Sequence, residues 1–582
     1  MADDDLDASG DAGNGDADSR GDRRRGNGAA SHLRRYGVFY AIAVVVAIVV
    51  AVLPSVGGDG DDDGGSDDGD LAASEDGADG STDGPWRPGS GDIEHGTGTA
   101  RSGVECEPGV GQIPDTVLAV PCLPEFTGDN GGATSRGVTE DTIRIVRRTF
   151  PSSANTEAVR EELAEAGFAT PEDVIEIRDQ FIDYLNENYE LYGRRVEIIE
   201  YESQFGDSTA EALEEGREGA CQDATFIAEE LDAFGVIGPG IAGLGGGPGS
   251  GPFSECAAER GLVVFSGGAY FPESWYEELH PYIWNDTMDC EQVARHTAAY
   301  ITNRLGDRPA TYAGDPELAS RTRKFGSYTP EGRRGECNDL SRQILEDGGV
   351  YDGEADTPTV RYALDISRFA EQAQRAVVQW KADDVTTVVV GSDPISLEFL
   401  TQAAEDQDYH PEWFILGTAQ QDSNVFGRTY NQNQADGHMF GMSLISGTDD
   451  LYGPDSDPAR LYRKLNDGEQ ILGGTTGALF DSVHWFNLLQ AAGPELTAEN
   501  LARGVQRLPP LGGGDRVRYH FGDGHTAIKD AREIYWDGDA PPGLDEPNPE
   551  GELQGAFVET NDGERFLPDE WPAEDPPIYP DR

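Results

Sequence analysis

The sequence predicts an α/β protein built from two parallel-sheet units. From about Val138 onward, short aliphatic or β-branched runs alternate with amphipathic stretches at helical spacing, the β-α-β rhythm of a parallel sheet. Two of those runs, Val236-Ile237 and Leu262 to Phe265, open at their C-terminal ends into small-residue loops, where an open α/β sheet forms a ligand crevice. After Pro281 to Trp284 the rhythm starts afresh, so there are two units.

The first 35 residues are Asp, Gly, Asn and Arg with almost nothing to bury, and a disordered cytoplasmic tail is expected. Tyr36 to Leu53 is apolar throughout and about long enough to span a bilayer. Arginines 23, 24, 25, 34 and 35 precede it and acids follow, so the positive-inside rule places everything after Pro54 outside the cell. A cleaved signal peptide is the competing reading, but its shorter apolar core and small-x-small cleavage site are not evident. Residues 54–100 form a Gly/Asp/Ser linker stretched by its own charge. Within it Asp59, Asp61, Asp63 and Gly64 match the start of a calcium loop, yet no helical pattern flanks them, and no metal is assigned. Residues 101–137 read as an irregular collar.

In the first unit, Thr142 to Arg147 and Arg195 to Tyr201 are strands, and Pro171 to Tyr192 and Ala210 to Glu230 are helices. In the second, strands are expected at Lys324 to Thr329, Thr357 to Ala363, Thr386 to Val390 and Trp413 to Leu416. Helices are expected there at Cys290 to Leu305, Asp339 to Glu346 and Ser367 to Ala382. A later block has helices near Pro458 to Asn466 and Ala478 to Ala492 and a hairpin over Arg516 to Trp536. It is too short for a third domain and is assigned to the first unit. The organisation is thus 138–284 with 446–540 as lobe 1, 285–445 as lobe 2, and 541–582 as a connector and hairpin turning at Asn561-Asp562-Gly563. A chain that crosses between lobes more than once makes a hinge.

A formal net charge of -66 and a pI near 4.2 exclude a nucleic-acid binder, since no basic surface is available to displace counterions from phosphate. Such acidity suits a salt-rich habitat, where screening tolerates the self-repulsion. The six cysteines form no C-x-x-C pair and follow a membrane segment, which favours disulfides outside the cell. Of the 15 possible pairings, chain order is preferred because each bond then closes a local loop: Cys106 with Cys122, Cys221 with Cys256, and Cys290 with Cys337.

Gly238-x-Gly240-x-x-Gly243 fits the dinucleotide-binding pattern, but six further small residues postpone the helix that would meet a pyrophosphate, and the loop follows a third strand rather than a first. No G-x-S-x-G elbow and no H-E-x-x-H occur, and His520 and His525 flank turn residues. No cofactor is expected and no enzymatic activity is assigned, although an extracellular enzyme with carboxylates hidden among so many acids stays as an alternative. The preferred reading is a clamp whose crevice is lined by the segments following strands: Ser152 and Ser153; Gly240, Ile241 and Ala242; Ser266, Gly267, Gly268 and Tyr270; and Tyr328, Asp393 and Gln420 in the second unit. Small residues and hydroxyls there suit a polar group held by backbone N–H donors.

Several stretches resemble exported solute-binding proteins of the branched-chain amino acid (Leu/Ile/Val-binding) type, which have the two-lobed type I periplasmic-binding-protein fold. Gly137 to Val146 resembles their opening strand, Val236-Ile-Gly-Pro239 their third, Leu262 to Ser266 their fourth, and His280 to Asn285 the crossing into the second lobe. Tyr312 to Pro316 with Arg323 to Gly326, and Gly563 to Pro572, add to the match. The resemblance implies a small-molecule solute such as an amino acid, amide or short carboxylate, delivered to an ABC permease, with the loops Gly240 to Leu244 and Ser266 to Gly268 binding a ligand carboxylate. The second lobe of that family often adds aromatic residues and an acid for an ammonium. The matching strand ends here are Tyr328, Asp393 and Gln420, with no acid directly after Leu416-Gly417. A ligand-sensing ectodomain signalling through a partner is the alternative within the family.

Overall fold

The computed structural model describes residues 86–91, 98–151, 169–206, 211, 215–237, 251–265, 270–350, 357–444, 456–472, 475, 477–513, 516–542, 554–573 and 577–580. The expected membrane segment at 36–53, its flanks and residues 54–85 and 92–97 of the expected linker lie outside these residues, but residues 86–91 are not free linker: Trp86 is buried in the lobe 1 core and donates from Nε1 to the Gly504 carbonyl at 3.2 Å, and the Gly89 N–H donates to the Ala491 carbonyl at 2.7 Å. Among the described residues no helix is long and apolar enough to cross a membrane.

The first sheet contains β1 (Thr142–Thr149), β2 (Arg195–Glu202), β3 (Gly235–Ile237), β4 (Val263–Phe265) and β5 (Ile283–Trp284) in the order β2-β1-β3-β4-β5, all parallel. Its connecting helices are α1 (Pro171–Asn188), α2 (Arg217–Glu229), α3 (Gly251–Glu259) and α4 (Glu273–Glu278). Helix α1 starts where it does because Thr170 and Asp173 form a reciprocal cap: the Asp173 N–H donates to Thr170 Oγ1 at 3.2 Å and the Thr170 N–H to Asp173 Oδ2 at 2.8 Å, with Pro171 next in line.

The second sheet repeats that order. Helix α5 (Cys290–Tyr300) leads into β6 (Phe325–Pro330), α6 (Arg333–Asp347), β7 (Thr359–Tyr362), α7 (Ile366–Ala382), β8 (Thr387–Val390), α8 (Pro394–Asp406), β9 (Glu412–Ile415) and β10 (Met439–Ser443). The parallel order is β7-β6-β8-β9-β10, which is again second, first, third, fourth, fifth. Two units that independently reverse strand direction of travel between their first and third strands each carry a crevice outside the C-terminal strand ends.

The return block supplies α9 (Asp457–Leu465), α10 (Gly477–Ala492), α11 (Ala498–Val505) and the short pair β11 (Leu511–Gly512) with β12 (Arg518–Tyr519). Helix α10 is apolar on nearly every side and accordingly lies in the interior, between the collar, α1 and the first sheet. Asn487 on α10 accepts from the Val120 N–H at 3.1 Å and the Tyr189 hydroxyl at 2.8 Å, so the collar is part of lobe 1 rather than a separate module.

Three further expectations need correction. Assigning 446–540 wholly to lobe 1 fails for β13 (Ala531–Asp537), which pairs antiparallel with β10 in the second sheet. Its buried face, including Ile534 and Trp536, alternates into the lobe 2 core, which outweighs its position late in the chain. The expected terminal hairpin does not close on itself. Both β14 (Ala556–Glu559) and β15 (Arg565–Phe566) pair with β13, leaving Asn561 and Asp562 as the left-handed turn between them. The hairpin over 516–536 is limited to the neighbourhood of the Tyr519 to Ile528 bridge, beyond which the chain runs on into the other lobe.

The three disulfides join Cys106 to Cys122, Cys221 to Cys256, and Cys290 to Cys337. The second ties α2 to α3 across the first sheet's helical layer, and the third ties α5 to α6 in lobe 2. Each is confined to one unit, so none of the three links the lobes to one another.

Candidate functional site

Among the described residues the lobes are joined by the segment after β5 and by the segment that leads into β13. The segment after β5 enters α5 with Asp289 as its N-cap, accepting from the Gln292 N–H at 2.9 Å. The returning segment before β13 lies beside it: the Asn285 N–H donates to the His525 carbonyl at 2.9 Å, and the Ala527 N–H donates to the Asn285 carbonyl at 3.0 Å. These two hydrogen bonds, with Thr526 Oγ1 donating to Asp289 at 3.0 Å, make two crossings into one narrow hinge. Both crossings meet at the C-terminal end of β5, so the first sheet presents its C-terminal strand ends toward the junction.

A polar cluster has formed at those ends in lobe 1. Asp481, His484 and Trp485 stand at i, i+3 and i+4 on α10 and therefore share one face. That face points at the end of β4, because the Phe265 ring lies 5.7 Å from His484 and 6.3 Å from Trp485, centroid to centroid. Arg178, from the second turn of α1, reaches Asp481 at 3.7 Å. Arg147, at the end of β1, is buried and paired with Glu200 at 2.5 Å and Asp179 at 3.3 Å. Asp286 follows β5, near enough to Asp481 for the two carboxyls to repel.

Several of these polar atoms are buried without a hydrogen-bond partner among the described residues: Asp286 Oδ1, His484 Nε2, Trp485 Nε1 and the Nε atoms of Arg147 and Arg178. Orphaned buried polar atoms are rare in folded proteins, so their concentration in one place marks a site built for something else. Burial, reinforced by repulsion from Asp481, raises the Asp286 carboxyl from 3.8 to about 7. Burial lowers the His484 imidazole to about 3, so it is neutral at any working pH. The Arg178 guanidinium is lowered by burial, with Asp481 working against the shift.

The matching end of lobe 2 carries Asp422, in the loop after β9. Its Oδ1 is buried and unpartnered, and burial, only partly offset by a Ser443 hydrogen bond, lifts its carboxyl to about 6. The loop bends there through Gly417, Ala419 and Gln420 at φ of 66, 49 and 64°, with two consecutive non-glycine residues in the left-handed region. Gln421 braces it, donating from Nε2 to the Val390 and Ser392 carbonyls at 3.1 and 2.6 Å.

Of the residues expected from sequence, Ser152, Ser153, Gly240, Ile241, Ala242, Ser266, Gly267 and Gly268 lie outside the described residues. Tyr270 is half-buried against the lobe 1 core, its phenol raised by burial and the nearby Asp289 charge. Tyr328 is fully buried and stacks on Tyr362 with centroids 4.4 Å apart. Its hydroxyl has no partner. Asp393 caps α8, accepting from the Ser396 N–H at 2.8 Å, and takes the Tyr362 hydroxyl at 2.7 Å. The structure thus brings Tyr328 and Asp393 together through Tyr362, inside lobe 2, while half-buried Gln420 stands at the strained loop beside Asp422.

Asp286, Asp481, His484, Trp485, Arg178 and Asp422 escaped the sequence reading. Asp286 had a signal, since it directly follows the recognised Tyr-Ile-Trp-Asn crossing. The α10 residues had none, because a helix that is apolar on all sides hides which face meets the crevice.

No family model matches the chain, and no curated protein matches it. Among solved structures the chain is similar to a branched-chain amino acid transporter substrate-binding protein of Streptococcus pneumoniae in complex with isoleucine (13% identity, TM-score 0.45, covering 72% of this chain and 100% of that one). It is also similar to a fatty acid ABC transporter substrate-binding protein of Thermomonospora curvata (13%, 0.47, 77% and 98%). A third is an ABC transporter solute-binding protein of Rhodopseudomonas palustris in complex with 3,4-dihydroxybenzoic acid (12%, 0.46, 73% and 98%). These are type I periplasmic binding proteins, the family that the sequence resembles.

Proposed function

We propose that this protein is a membrane-anchored, extracellular solute-binding protein that captures a small polar solute between its lobes and delivers it to an ABC permease. The observation that carries the reading is the doubled architecture. Two sheets whose five parallel strands have the same order meet at a two-stranded hinge, and at each sheet's C-terminal edge a carboxylate keeps a buried oxygen without a partner among the described residues. One such edge is what a single-lobe binder or an α/β enzyme needs. Two edges on either side of a hinge suit a clamp. The apolar run at 36–53 supplies the anchor, with the acidic linker as a tether long enough to let the lobes reach a neighbouring permease. Delivery rather than chemistry is the role assigned, because two strand-end edges facing one hinge suit capture and release of a solute.

Calorimetric titration of the full chain in detergent and high salt, with amino acids, amides, amines and short carboxylates, checks this reading. A saturable one-to-one complex with at least one class of compound is expected, recovered unchanged after binding. Turnover of the bound compound would sink the proposal.

A further inference from the structure

We infer that the hinge carries a proton-operated latch: His280, His525 and Glu273 form a hydrogen-bonded chain that holds the second crossing against lobe 1, and a second proton on the histidine pair releases it. The inference goes beyond solute capture and holds whichever solute is bound, or with none.

The chain runs from solvent to the hinge backbone. His280, in the exposed turn between α4 and β5, places its Nδ1 2.9 Å from His525 Nε2. His525 is 3% exposed, and its Nδ1 lies 2.6 Å from Glu273 Oε1, which also accepts the His525 N–H at 3.1 Å. The His525 carbonyl accepts the Asn285 N–H, and Thr526 next to it donates to Asp289, so His525 is the point at which the second crossing leaves lobe 1. Trp284 and Tyr276 flank the ring with centroids 4.9 and 6.3 Å away. With solvent excluded, the two ring nitrogens depend on His280 and Glu273. Glu273 in turn depends on His525, since its Oε2 is buried without a partner among the described residues.

Hydrogen-bond bookkeeping makes this chain sensitive to the second proton and not to the first. A carboxylate only accepts, so His525 donates through Nδ1 and its Nε2 is an acceptor. His280 must then donate through Nδ1, which leaves its lone pair on Nε2. One proton enters there, and the charged ring still donates to His525, now with charge assistance. A second proton must enter at His525 Nε2, which sets two N–H donors and two like charges face to face across 2.9 Å. The contact is lost, and lobe 1's side-chain hold on the second crossing goes with it. Burial and the neighbouring His525 charge lower the His280 imidazole from its usual 6.5, opposed by Glu499 on α11, so the doubly charged pair belongs to acid conditions. The other charged groups around the chain are Glu277 on α4, Asp286 after β5, Asp289 and Glu291 at the start of α5, and Asp523 and Lys529 on the returning segment. The acids favour charging the pair and Lys529 opposes it.

The test follows the interlobe distance between spin labels at Glu218→Cys on α2 and Gln402→Cys on α8 in the solute-free full chain, from about pH 7.5 to about pH 4.5, in detergent and high salt. The parent distribution is expected to broaden on acidification. His280→Asn, whose Nδ2 can donate to His525 Nε2 but cannot take up a proton, is expected to keep its neutral-pH width. Asp286, Glu398 and Asp422 titrate within this range in both chains, so the difference between the chains is the quantity that counts. Glu273→Gln keeps an acceptor for His525 and removes the charge that favours its imidazolium, so the broadening is expected to move to lower pH. That variant carries the test if circular dichroism shows His280→Asn to be misfolded. A parent distribution that does not change with pH, or a change shared equally by His280→Asn, overturns the inference. Lobes that close on a solute near neutral pH yet show no acid response would retain the clamp and remove the latch.

Discussion

Glu412→Ala is expected to destabilise lobe 2 by about 3–5 kcal/mol, the loss typical of an arginine left buried without its counter-charge. Glu412 is fully buried at the start of β9, and both its oxygens are saturated. Arg323 donates from Nε to Oε2 at 2.7 Å and from Nη2 to Oε1 at 2.9 Å. The Thr387 hydroxyl adds 2.7 Å to Oε2, and the Tyr312 N–H adds 3.0 Å to Oε1. Removing the carboxylate strands a guanidinium that is itself nearly inaccessible, along with two further donors. Removing both charges avoids that penalty. Arg323→Met combined with Glu412→Leu is expected to recover much of the loss, since a buried ion pair replaced by apolar residues is often neutral. Urea unfolding of the three chains, following the lobe 2 transition, measures the difference. Equal losses for the single and double variants would contradict the account. The pair sits at the N-terminal edge of the second sheet, opposite the crevice, so solute binding at low denaturant is expected to persist in both.

The second large effect concerns pH and has the opposite sign from an ordinary surface carboxylate. The Asp286 pKa is higher in the folded protein, about 7, than its unreacted value of 3.8. The folded state therefore favours the proton, and this contribution to stability is fully present below about pH 4 and is lost as pH rises through 7. The slope is about 1.4 kcal/mol per unit within that window, or up to about 4 kcal/mol in all, reduced where crevice water reaches the carboxyl. Asp286→Asn imitates the protonated form at every pH. It is expected to match the parent near pH 4 and to exceed it by a few kcal/mol at pH 8. That is several degrees of Tm for a lobe of this size, at about 2–4 °C per kcal/mol. Asp422 and Glu398, lifted by burial to about 6 and 7, titrate in the same window, so the informative quantity is the difference between parent and variant. A variant that is less stable than the parent at pH 8 would show that Asp286 is a structural acid with a partner. A gain in stability coupled to a loss of binding is the signature of a residue kept for function.

Much of this architecture was legible in the residues because parallel strands buried on both faces read as unbroken apolar runs. Thr386 to Val390 and Leu262 to Phe265 are such runs, and both became central strands. Strand β10 was not legible. Met439 to Ser443 is fully buried yet contains Gly441, whose place is fixed by the close approach of the Ile415 carbonyl, 2.0 Å from where a Cβ would stand. Helix α8 was missed because Pro394 opens it directly after a strand end that had been read as a binding loop; the same Asp393 that suggested a ligand contact is its cap. The local disulfide pairing followed from loop economy alone. The crevice cluster could not follow from any local pattern, since it joins α1, α10 and the residue after β5 across some 300 positions of chain. Only the tertiary fold brings a helix face from the return block against strands from the first unit.

The central claim is that the two lobes close on a solute held between them. Its most direct measurement is the distance between spin labels placed by Glu218→Cys on α2 and Gln402→Cys on α8, two exposed sites in different lobes, with and without saturating ligand. Closure predicts a broad distribution in the free protein that shortens and narrows on binding, because the hinge at Asn285 and Thr526 is the element that bends. A bound solute that leaves the distribution unchanged would contradict the account.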